Sequence, residues 1–181
     1  KNNCMFLLVF GTALINMINF MDGIDGLVVT SMIFIFIPFA IIQSNYVFIL
    51  IFSLLAFLKF NWHPAKLFMG DIGSTYLGAI FFGFLMSYES TSDLILNLLI
   101  SIPLLLDSSS CILRRFLNKE NIFDSHKKHI YQRLNQGGLK HSQITYIYIF
   151  PTIIFTFLFF YEKYFLIFLN FLLVVVVGFL L

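Results

Sequence analysis

The sequence predicts an all-α integral membrane protein, a bundle of about seven transmembrane helices. Hydrophobic residues make up 60% of its 181 residues and charged residues only 11%, whereas a soluble domain is about a quarter charged. The apolar residues also fall into long segments separated by short polar ones. Such segments must be helices, because an open sheet leaves backbone groups without hydrogen-bond partners in lipid.

Seven segments approach the length of about 20 apolar residues that a helix needs to cross a bilayer. They lie at roughly 4–20, 27–42, 46–62, 74–88, 94–113, 142–160 and 163–181. We treat residues 1–181 as a single membrane domain in which residues 114–141 form a cytoplasmic loop. The chain begins Lys-Asn-Asn, without an initiator Met, and enters the first apolar segment at once. We therefore expect it to be the C-terminal part of a longer protein.

Alternation of these spans brings three polar motifs to one side of the membrane. The first, third and fifth spans end on the same side, and their ends carry "FMDGIDG" (20–26), "FNWHPAKLFMGDIGS" (60–74) and the 114–141 loop. The opposite side receives only "QSNY", "SYESTSD" and "YEKY". Every unusual polar cluster is therefore predicted on one face.

Positive charge is concentrated on that same face. Nine of the eleven Lys and Arg residues lie there, namely Lys59, Lys66, Arg114, Arg115, Lys119, Lys127, Lys128, Arg133 and Lys140. The other side has Lys1 and Lys163. Because cytoplasmic loops carry the excess of Lys and Arg, we expect the polar face to be cytoplasmic. The net charge of +2 therefore reflects how Lys and Arg are distributed between the two sides of the membrane, and we expect no nucleic-acid partner.

Three aspartates, Asp22, Asp25 and Asp71, lie at predicted helix ends on this face, each beside a glycine. A carboxylate at the centre of a span costs about 2.5–3.5 kcal/mol on insertion scales, and less at the interface, so a single Asp here would be an ordinary helix cap. Three of them together favour a ligand site, because glycine lets the backbone approach a ligand closely. Carboxylates suit Mg²⁺ that is shared with phosphates.

The polar loop contains "DSHKKHIYQRL" (124–134), in which His126, His129 and Arg133 share one face if the segment is helical. One interpretation is a basic anchor for lipid headgroups. The other is a set of donors that stabilise charge on a pyrophosphate. We discount a transition metal at the two histidines, because no third His or Cys follows at ligand spacing and the nearby acids suit Mg²⁺ better.

Together the motifs "NMINFMDGIDGL", "FNWHPAKLFMGDIGS" and "SHKKHIYQRL" resemble the polyprenyl-phosphate N-acetylhexosamine-1-phosphate transferases of glycosyltransferase family 4. These bacterial enzymes include the phospho-MurNAc-pentapeptide translocase and the enzymes that initiate O-antigen, enterobacterial common antigen and teichoic acid synthesis. The resemblance runs from about residue 10 to 142. It implies transfer of a sugar-1-phosphate from a UDP-sugar to undecaprenyl phosphate, with release of UMP, in a cytoplasmic cleft of a helical bundle in the cytoplasmic (inner) membrane.

The resemblance also implies the catalytic and metal-binding residues. Asp71 matches the family's Mg²⁺ ligand, so Mg²⁺ is the expected cofactor, with Mn²⁺ as the alternative. Asn19 and Asp22 match residues that line the cleft near the metal and the phosphates. In the loop, the family's histidine motif, which contacts the phosphates or the sugar, is matched by His126, His129 and Arg133.

Substrate binding follows from the same comparison. Asp25, Asn61 and Phe68 match the positions that hold the uracil, Phe68 by stacking. The implied partners are the polyprenyl phosphate lipid and the UDP-sugar, and a homodimer is left open. The loop reads His-Lys-Lys-His instead of three consecutive histidines. This difference favours the branch of the family that loads a simple HexNAc-type sugar for surface polysaccharide, such as lipopolysaccharide O-antigen.

Two alternatives remain from the sequence. The family's Asp-Asp motif and its accompanying helices would precede Lys1, so the chain could be an inactive membrane-bound remnant of the transferase. An intramembrane aspartyl protease also uses two membrane aspartates, one in a Gly-x-Gly-Asp setting, but "FMGD" matches it weakly. The protease further requires its aspartates within helices, whereas these are predicted at helix ends.

Overall fold

The computed structural model describes residues 2–119 and 129–161, with side chains from residue 5 onward, and their regular structure is entirely helical. The helices are α1 Asn2–Phe20, α2 Leu27–Ile42, α3 Val47–Asn61, α4 Gly70–Met86, α5 Thr91–Leu117, α6 Ile130–Gln136 and α7 His141–Phe160. The predicted all-α class is confirmed over these residues.

Six of the seven predicted spans correspond to α1–α5 and α7. The largest boundary differences are at α4, which begins at Gly70, and at α5, which extends from Thr91 to Leu117. The seventh predicted span, 163–181, lies outside the described residues. Among the described helices, α5 and α7 are long and apolar enough to cross a membrane, whereas the other four long helices are apolar but shorter. The count of seven spans therefore stays a prediction.

Helix α2 lies at the centre of the bundle. Twelve of its 16 residues are buried, and it packs against α3, α4, α5 and α7. Its sequence, "LVVTSMIFIFIPFAII", is apolar on all sides, which is typical of a helix surrounded by other helices. This central helix begins directly after the 20–26 motif and so fixes that motif against the rest of the bundle.

Helices α1 and α4 pack closely through a glycine. A Cβ atom added at Gly78 would lie 3.0 Å from the Cα of Ile15, so a larger residue would push the two backbones apart by a few tenths of an ångström. Small residues of this kind are common where membrane helices approach one another. The contact fixes α4, and with it the motif at its N-terminus, beside the C-terminal half of α1.

The ends of the helices form two groups. At one end, Ser87 Oγ after α4 donates to Gln43 Oε1 after α2, at 2.9 Å. At the opposite end, the Asp25 carboxylate in the α1–α2 turn lies within hydrogen-bond distance of His63 in the α3–α4 loop and of His141 at the start of α7. The structure thus confirms that the 20–26 and 60–74 motifs share one end of the bundle. We call it the polar end.

Candidate active site at the polar end

The α1–α2 turn and the α3–α4 loop are joined through Asn61, the last residue of α3. Its Oδ1 accepts the backbone N–H of Gly26 at 3.0 Å, and its Nδ2 donates to the carbonyl of Leu67 at 2.9 Å. Asn61 is 4% exposed, and these two bonds engage both ends of its amide. The structure thus places Asn61 as a clamp between two polar segments, where its side chain fixes the position of both.

Asp71 lies close enough to Asp22 to influence the ionisation of its carboxylate. Burial, and then the charge of Asp71, raise the pKa of Asp22 to about 7, against a smaller lowering by a backbone hydrogen bond from Gly70. Asp71 is exposed in the first turn of α4. Gly70 has φ 66°, a conformation that favours glycine. The cause of the raised pKa is the one expected when two carboxylates share a partly desolvated site.

Asn19 is held beside the start of α4 by Ser74. The hydroxyl of Ser74 donates to Asn19 Oδ1 at 2.5 Å, and it also lies 3.1 Å from the carbonyl of Gly70. Ser74 is fully buried, and it lies one turn after Asp71. The structure therefore brings Asn19 and Asp22 of the first motif and Asp71 of the second to one corner of the polar end.

Asp25 forms a second cluster with two histidines. His63 Nδ1 lies 2.8 Å from Asp25 Oδ2, and His141 Nδ1 lies 3.2 Å from Asp25 Oδ1. The backbone N–H of Ala65 also donates to Oδ2, at 3.2 Å. Burial raises the pKa of Asp25, but the hydrogen bonds from His63, Ala65 and His141 outweigh it and hold that pKa below its usual value. Sequence reasoning missed both histidines, although His63 stands inside a quoted motif.

Phe68 projects from the α3–α4 loop. The loop folds back on α3 through hydrogen bonds from the N–H groups of Lys66 and Leu67 to the carbonyl of Phe60, at 2.7 and 3.1 Å. Phe68 follows this turn and is 73% exposed. Phe68 lies three residues before Asp71 in the sequence, and its exposed ring is accessible to a planar ligand. The uracil-stacking role stays a prediction.

His129 is buried against a carboxylate that the sequence analysis overlooked. Its Nδ1 lies 3.2 Å from Oδ1 of Asp107, in the C-terminal half of α5. The carboxylate also accepts the N–H groups of Ile130 and Tyr131, at 2.8 and 3.0 Å, and the hydroxyl of Tyr148 at 2.6 Å. Asp107 is 1% exposed. The signal available was a carboxylate within an apolar segment, which is stable only when it is partnered.

The position of α6 changes the expected geometry of the histidine motif. His129 is extended, with φ −61° and ψ 150°, and it precedes the helix, which begins at Ile130. A helix that carries His129 and Arg133 on consecutive turns is therefore not formed, because Asp107 accepts the first two N–H groups of α6 and fixes its start there. Arg133 is exposed in the last turn of α6. His126 lies outside the described residues.

Tyr131 connects α6 to the α1–α2 turn. Its hydroxyl donates to the carbonyl of Phe20 at 3.1 Å, and a Cβ atom added at Gly23 would collide with that hydroxyl. Burial, and then the charge of Asp107, raise the pKa of Tyr131 to about 12, so the phenol stays a donor at neutral pH. The absence of a side chain at Gly23 thus lets α6 lie against the turn that carries Asp22.

Comparison with known proteins agrees with the motif at the polar end. Residues 3–89, which include Asp22, Asp25 and Asp71, match the family model of glycosyl transferase family 4. The chain is 36% identical over 139 residues to a probable undecaprenyl-phosphate N-acetylglucosaminyl 1-phosphate transferase of Bacillus subtilis, covering 70% of this chain and 38% of that protein.

Two further relatives are named phospho-N-acetylmuramoyl-pentapeptide-transferase. The chain is 39% identical over 116 residues to that of Fervidobacterium nodosum, covering 61% of this chain and 37% of the relative. It is 32% identical over 150 residues to that of Staphylococcus haemolyticus, covering 74% and 44% respectively. The matched part of the chain therefore spans about two fifths of the length of these relatives.

Proposed function

The chain belongs to glycosyl transferase family 4, and from this premise we propose that it transfers a HexNAc-type sugar-1-phosphate from a UDP-sugar to polyprenyl phosphate. In this reaction a new P–O–P bond forms between the lipid phosphate and the sugar phosphate, the P–O–P bond of the UDP-sugar breaks, and UMP leaves. The product would be the first lipid-linked sugar of a cell-surface polysaccharide. The name of the Bacillus subtilis relative supports a polyprenyl phosphate acceptor and a transferred HexNAc 1-phosphate, and the UDP donor follows from the resemblance of the motifs.

The observation that carries this proposal is the pair of carboxylates, Asp22 and Asp71, at the N-terminus of α4. Burial, and then the charge of Asp71, disfavour the ionised form of Asp22 and raise its pKa, and a divalent cation held by the two carboxylates would stabilise that ionised form. Oxygen-only donors suit Mg²⁺, which shares its ligands with substrate phosphates. Asp71 and Asp22 would hold the ion, and the bound ion would neutralise the charge of the diphosphate.

The groups around this pair have matching roles. Phe68 would stack on the uracil. Asp25 and Asn61, predicted to bind the same base, have side chains that are already engaged with the protein, so they would act mainly by holding the turn and the loop around it. His129, His126 and Arg133 would place donors against the pyrophosphate, whose developing charge such donors stabilise.

The location of the site fits one substrate in water and one in the bilayer. The carboxylates and Phe68 lie at the ends of apolar helices, where a nucleotide from the aqueous phase can meet a lipid phosphate at the membrane surface. The excess of Lys and Arg in the predicted loops supports a cytoplasmic position for the polar end. UDP-sugars would then reach the site from the cytoplasm.

The test is release of UMP from a UDP-sugar by the protein in detergent micelles that contain undecaprenyl phosphate, with and without Mg²⁺. We expect Mg²⁺-dependent release in the wild type and none after Asp71→Asn, which removes an anionic ligand and little volume. Near-normal turnover of this variant at low Mg²⁺ would show that the metal assignment is wrong. Binding of the UDP-sugar without release of UMP would instead identify an inactive remnant.

The protease alternative receives no support from the structure. Asp22 lies in a turn and Asp71 lies in the first turn of α4, whereas the two aspartates of such a protease belong within helices. The relatives named by the comparisons are transferases. Cleavage of a membrane peptide by the purified protein, lost on Asp71→Asn, would be required to restore that alternative.

A further inference from the structure

We propose that Asp25, His63 and His141 form a binding site for a divalent transition-metal ion such as Zn²⁺, separate from the Asp22 and Asp71 pair. The three residues come from the α1–α2 turn, the α3–α4 loop and the first residue of α7. Each offers one ligand atom, and these atoms all lie within 4.8 Å of one another. The proposal does not depend on the transferase activity.

The separations within the cluster are close to those of a metal site. In a tetrahedral site with bonds of about 2.0–2.1 Å, neighbouring ligand atoms are roughly 3.3 Å apart. His141 Nδ1 and Asp25 Oδ1 are 3.2 Å apart, and His63 Nδ1 and Asp25 Oδ2 are 2.8 Å apart. The second distance would open by roughly half an ångström on the same geometry. The two contacts use different oxygens of the carboxylate, so both oxygens would face the ion or one ring would shift, and the two histidine nitrogens, within 4.8 Å of each other, would move closer together.

The donor set distinguishes this cluster from the carboxylate pair. Two imidazole nitrogens and one carboxylate oxygen suit Zn²⁺ and its neighbours in the first transition row. Mg²⁺ prefers oxygen ligands and keeps several waters, which fits Asp22 and Asp71 instead. The polar end would therefore hold two cations of different chemistry in neighbouring positions.

The surroundings of His141 Nδ1 provide an independent argument. This nitrogen lies 3.4 Å from the backbone N–H of Asp25 and 3.2 Å from the carboxylate oxygen Oδ1 of the same residue. One ring nitrogen cannot both accept from the first and donate to the second in a single tautomer. When it accepts, its lone pair and Oδ1 are two electron-rich atoms in contact. Either a proton on Nδ1, which donates to Oδ1, or a cation bound by both atoms removes that repulsion.

The cluster is accessible and supported. The side chains of His63 and His141 are 32% and 30% exposed, and that of Asp25 is 12% exposed, so an ion can enter and water can complete its coordination. Asp25 is held by the N–H of Ala65 on its carboxylate and by the hydroxyl of Thr145, which donates to its carbonyl at 3.0 Å. Such supporting hydrogen bonds orient the ligands of metal sites.

A bound ion would join three separate segments of the chain. The α1–α2 turn carries Asp22 three residues before Asp25, and the α3–α4 loop carries Phe68 five residues after His63. Fixing both segments to α7 would hold the corner that contains Asn19, Asp22 and Asp71 relative to the exposed ring of Phe68. We therefore assign the ion a structural role in positioning the active site.

The experiment uses the chain purified in detergent without a polyhistidine tag, stripped of metal and titrated with Zn²⁺ and Co²⁺ alone. We expect one tight equivalent per chain, with Co²⁺ absorption bands of a low-coordinate nitrogen and oxygen site. His63→Ala and His141→Ala should each weaken binding by about two orders of magnitude, at or beyond the upper end of the roughly 10–100-fold loss caused by an outer-shell partner. His126→Ala is the matched histidine control, and Asp71→Asn should leave this equivalent in place.

Two results would overturn the proposal. One is the lack of any stoichiometric Zn²⁺ or Co²⁺ in the folded wild type. The other is an ion that is lost on Asp71→Asn and kept on His141→Ala, because it would then belong to the carboxylate pair. If either alanine variant fails to fold, X-ray absorption at the zinc edge of the wild type decides instead, by the presence or absence of two imidazole ligands.

Discussion

The carboxylate of Asp107, in the C-terminal half of α5, lies 3.2 Å from Nδ1 of His129 at the start of α6. Both side chains are almost fully buried, at 1% and 5% exposure. The same carboxylate accepts the first two N–H groups of α6. One buried charge thus fixes the orientation of His129 and the position of the short helix that carries Arg133, so we treat Asp107 as a positioning residue.

We expect Asp107→Asn to loosen α6. The amide keeps the volume of the side chain but loses the charge and one acceptor, and hydrogen bonds to charged groups contribute about 1.5–3 kcal/mol each. Hydrogen–deuterium exchange of the Ile130 and Tyr131 amides should therefore accelerate by at least about tenfold, since 1.4 kcal/mol corresponds to a factor of ten. Asp93→Asn, at the opposite end of α5, is the control. Equal protection in both variants would contradict the positioning role.

The raised pKa of Asp22 predicts how stability depends on pH. Between the ordinary pKa of 3.8 and about 7, the folded state binds more protons than the unfolded state, so this group makes stability fall as pH rises through that window. Asp22→Asn should therefore raise the melting temperature at pH 8 in EDTA by a few degrees (about 2–4 °C per kcal/mol), with little change below pH 4. Glu89→Gln serves as control. A lower melting temperature of the variant at pH 8 would refute this expectation.

Phe68→Ala should weaken binding of the UDP-sugar. Stacking of a base on an aromatic ring contributes about 1–3 kcal/mol, so the dissociation constant measured by calorimetry should rise by about 5–150-fold. Because the ring is exposed, its removal should leave the fold unchanged. Leu67→Ala, which removes an exposed neighbour in the same loop, is the matched control. If both variants lose affinity equally, the loop and not the ring recognises the nucleotide.

The order and approximate bounds of the six long described helices were predictable from hydropathy alone, whereas the short helix α6 lies inside the predicted loop. The second span, 27–42, coincides with α2, because its residues are uncharged and almost all apolar and the Gly26 turn precedes it. The start of α4 was predicted four residues late, at 74, because "GDIG" is too polar to count as a membrane segment. The structure shows that these polar residues form the first turn of the helix.

Site residues could be predicted from the sequence only where several polar residues lie close together within one motif. Polar motifs within apolar surroundings contain Asp22, Asp25 and Asp71, so these residues were identifiable as candidate site residues from the sequence. His141 and Asp107 did not, because their partners are 116 and 22 residues away and only packing of α5 and α7 against the turn brings them together. A single sequence contains no signal for such distant pairs beyond the cost of an unpartnered buried charge.

The membrane orientation leads to a labelling prediction. In a background with Cys4→Ala and Cys111→Ala, a membrane-impermeant thiol reagent added to intact cells should modify Glu89→Cys and not Asn135→Cys. The reason is the excess of Lys and Arg at the polar end. Both positions are exposed, so a difference in labelling reports sidedness and not burial. Permeabilised cells should show labelling at both, and the reverse pattern in intact cells would place the polar end outside.

The last prediction separates the two roles proposed for the histidine loop. Removing a group that stabilises the transition state lowers kcat, whereas removing a headgroup contact changes membrane affinity and its salt dependence. We expect His129→Ala to lower kcat by about two orders of magnitude or more, a typical loss for one preorganised donor, and Lys127→Ala and Lys128→Ala to stay within a few-fold. If the lysine variants lost as much activity as His129→Ala, the loop would act as an anchor and the histidine would only support it.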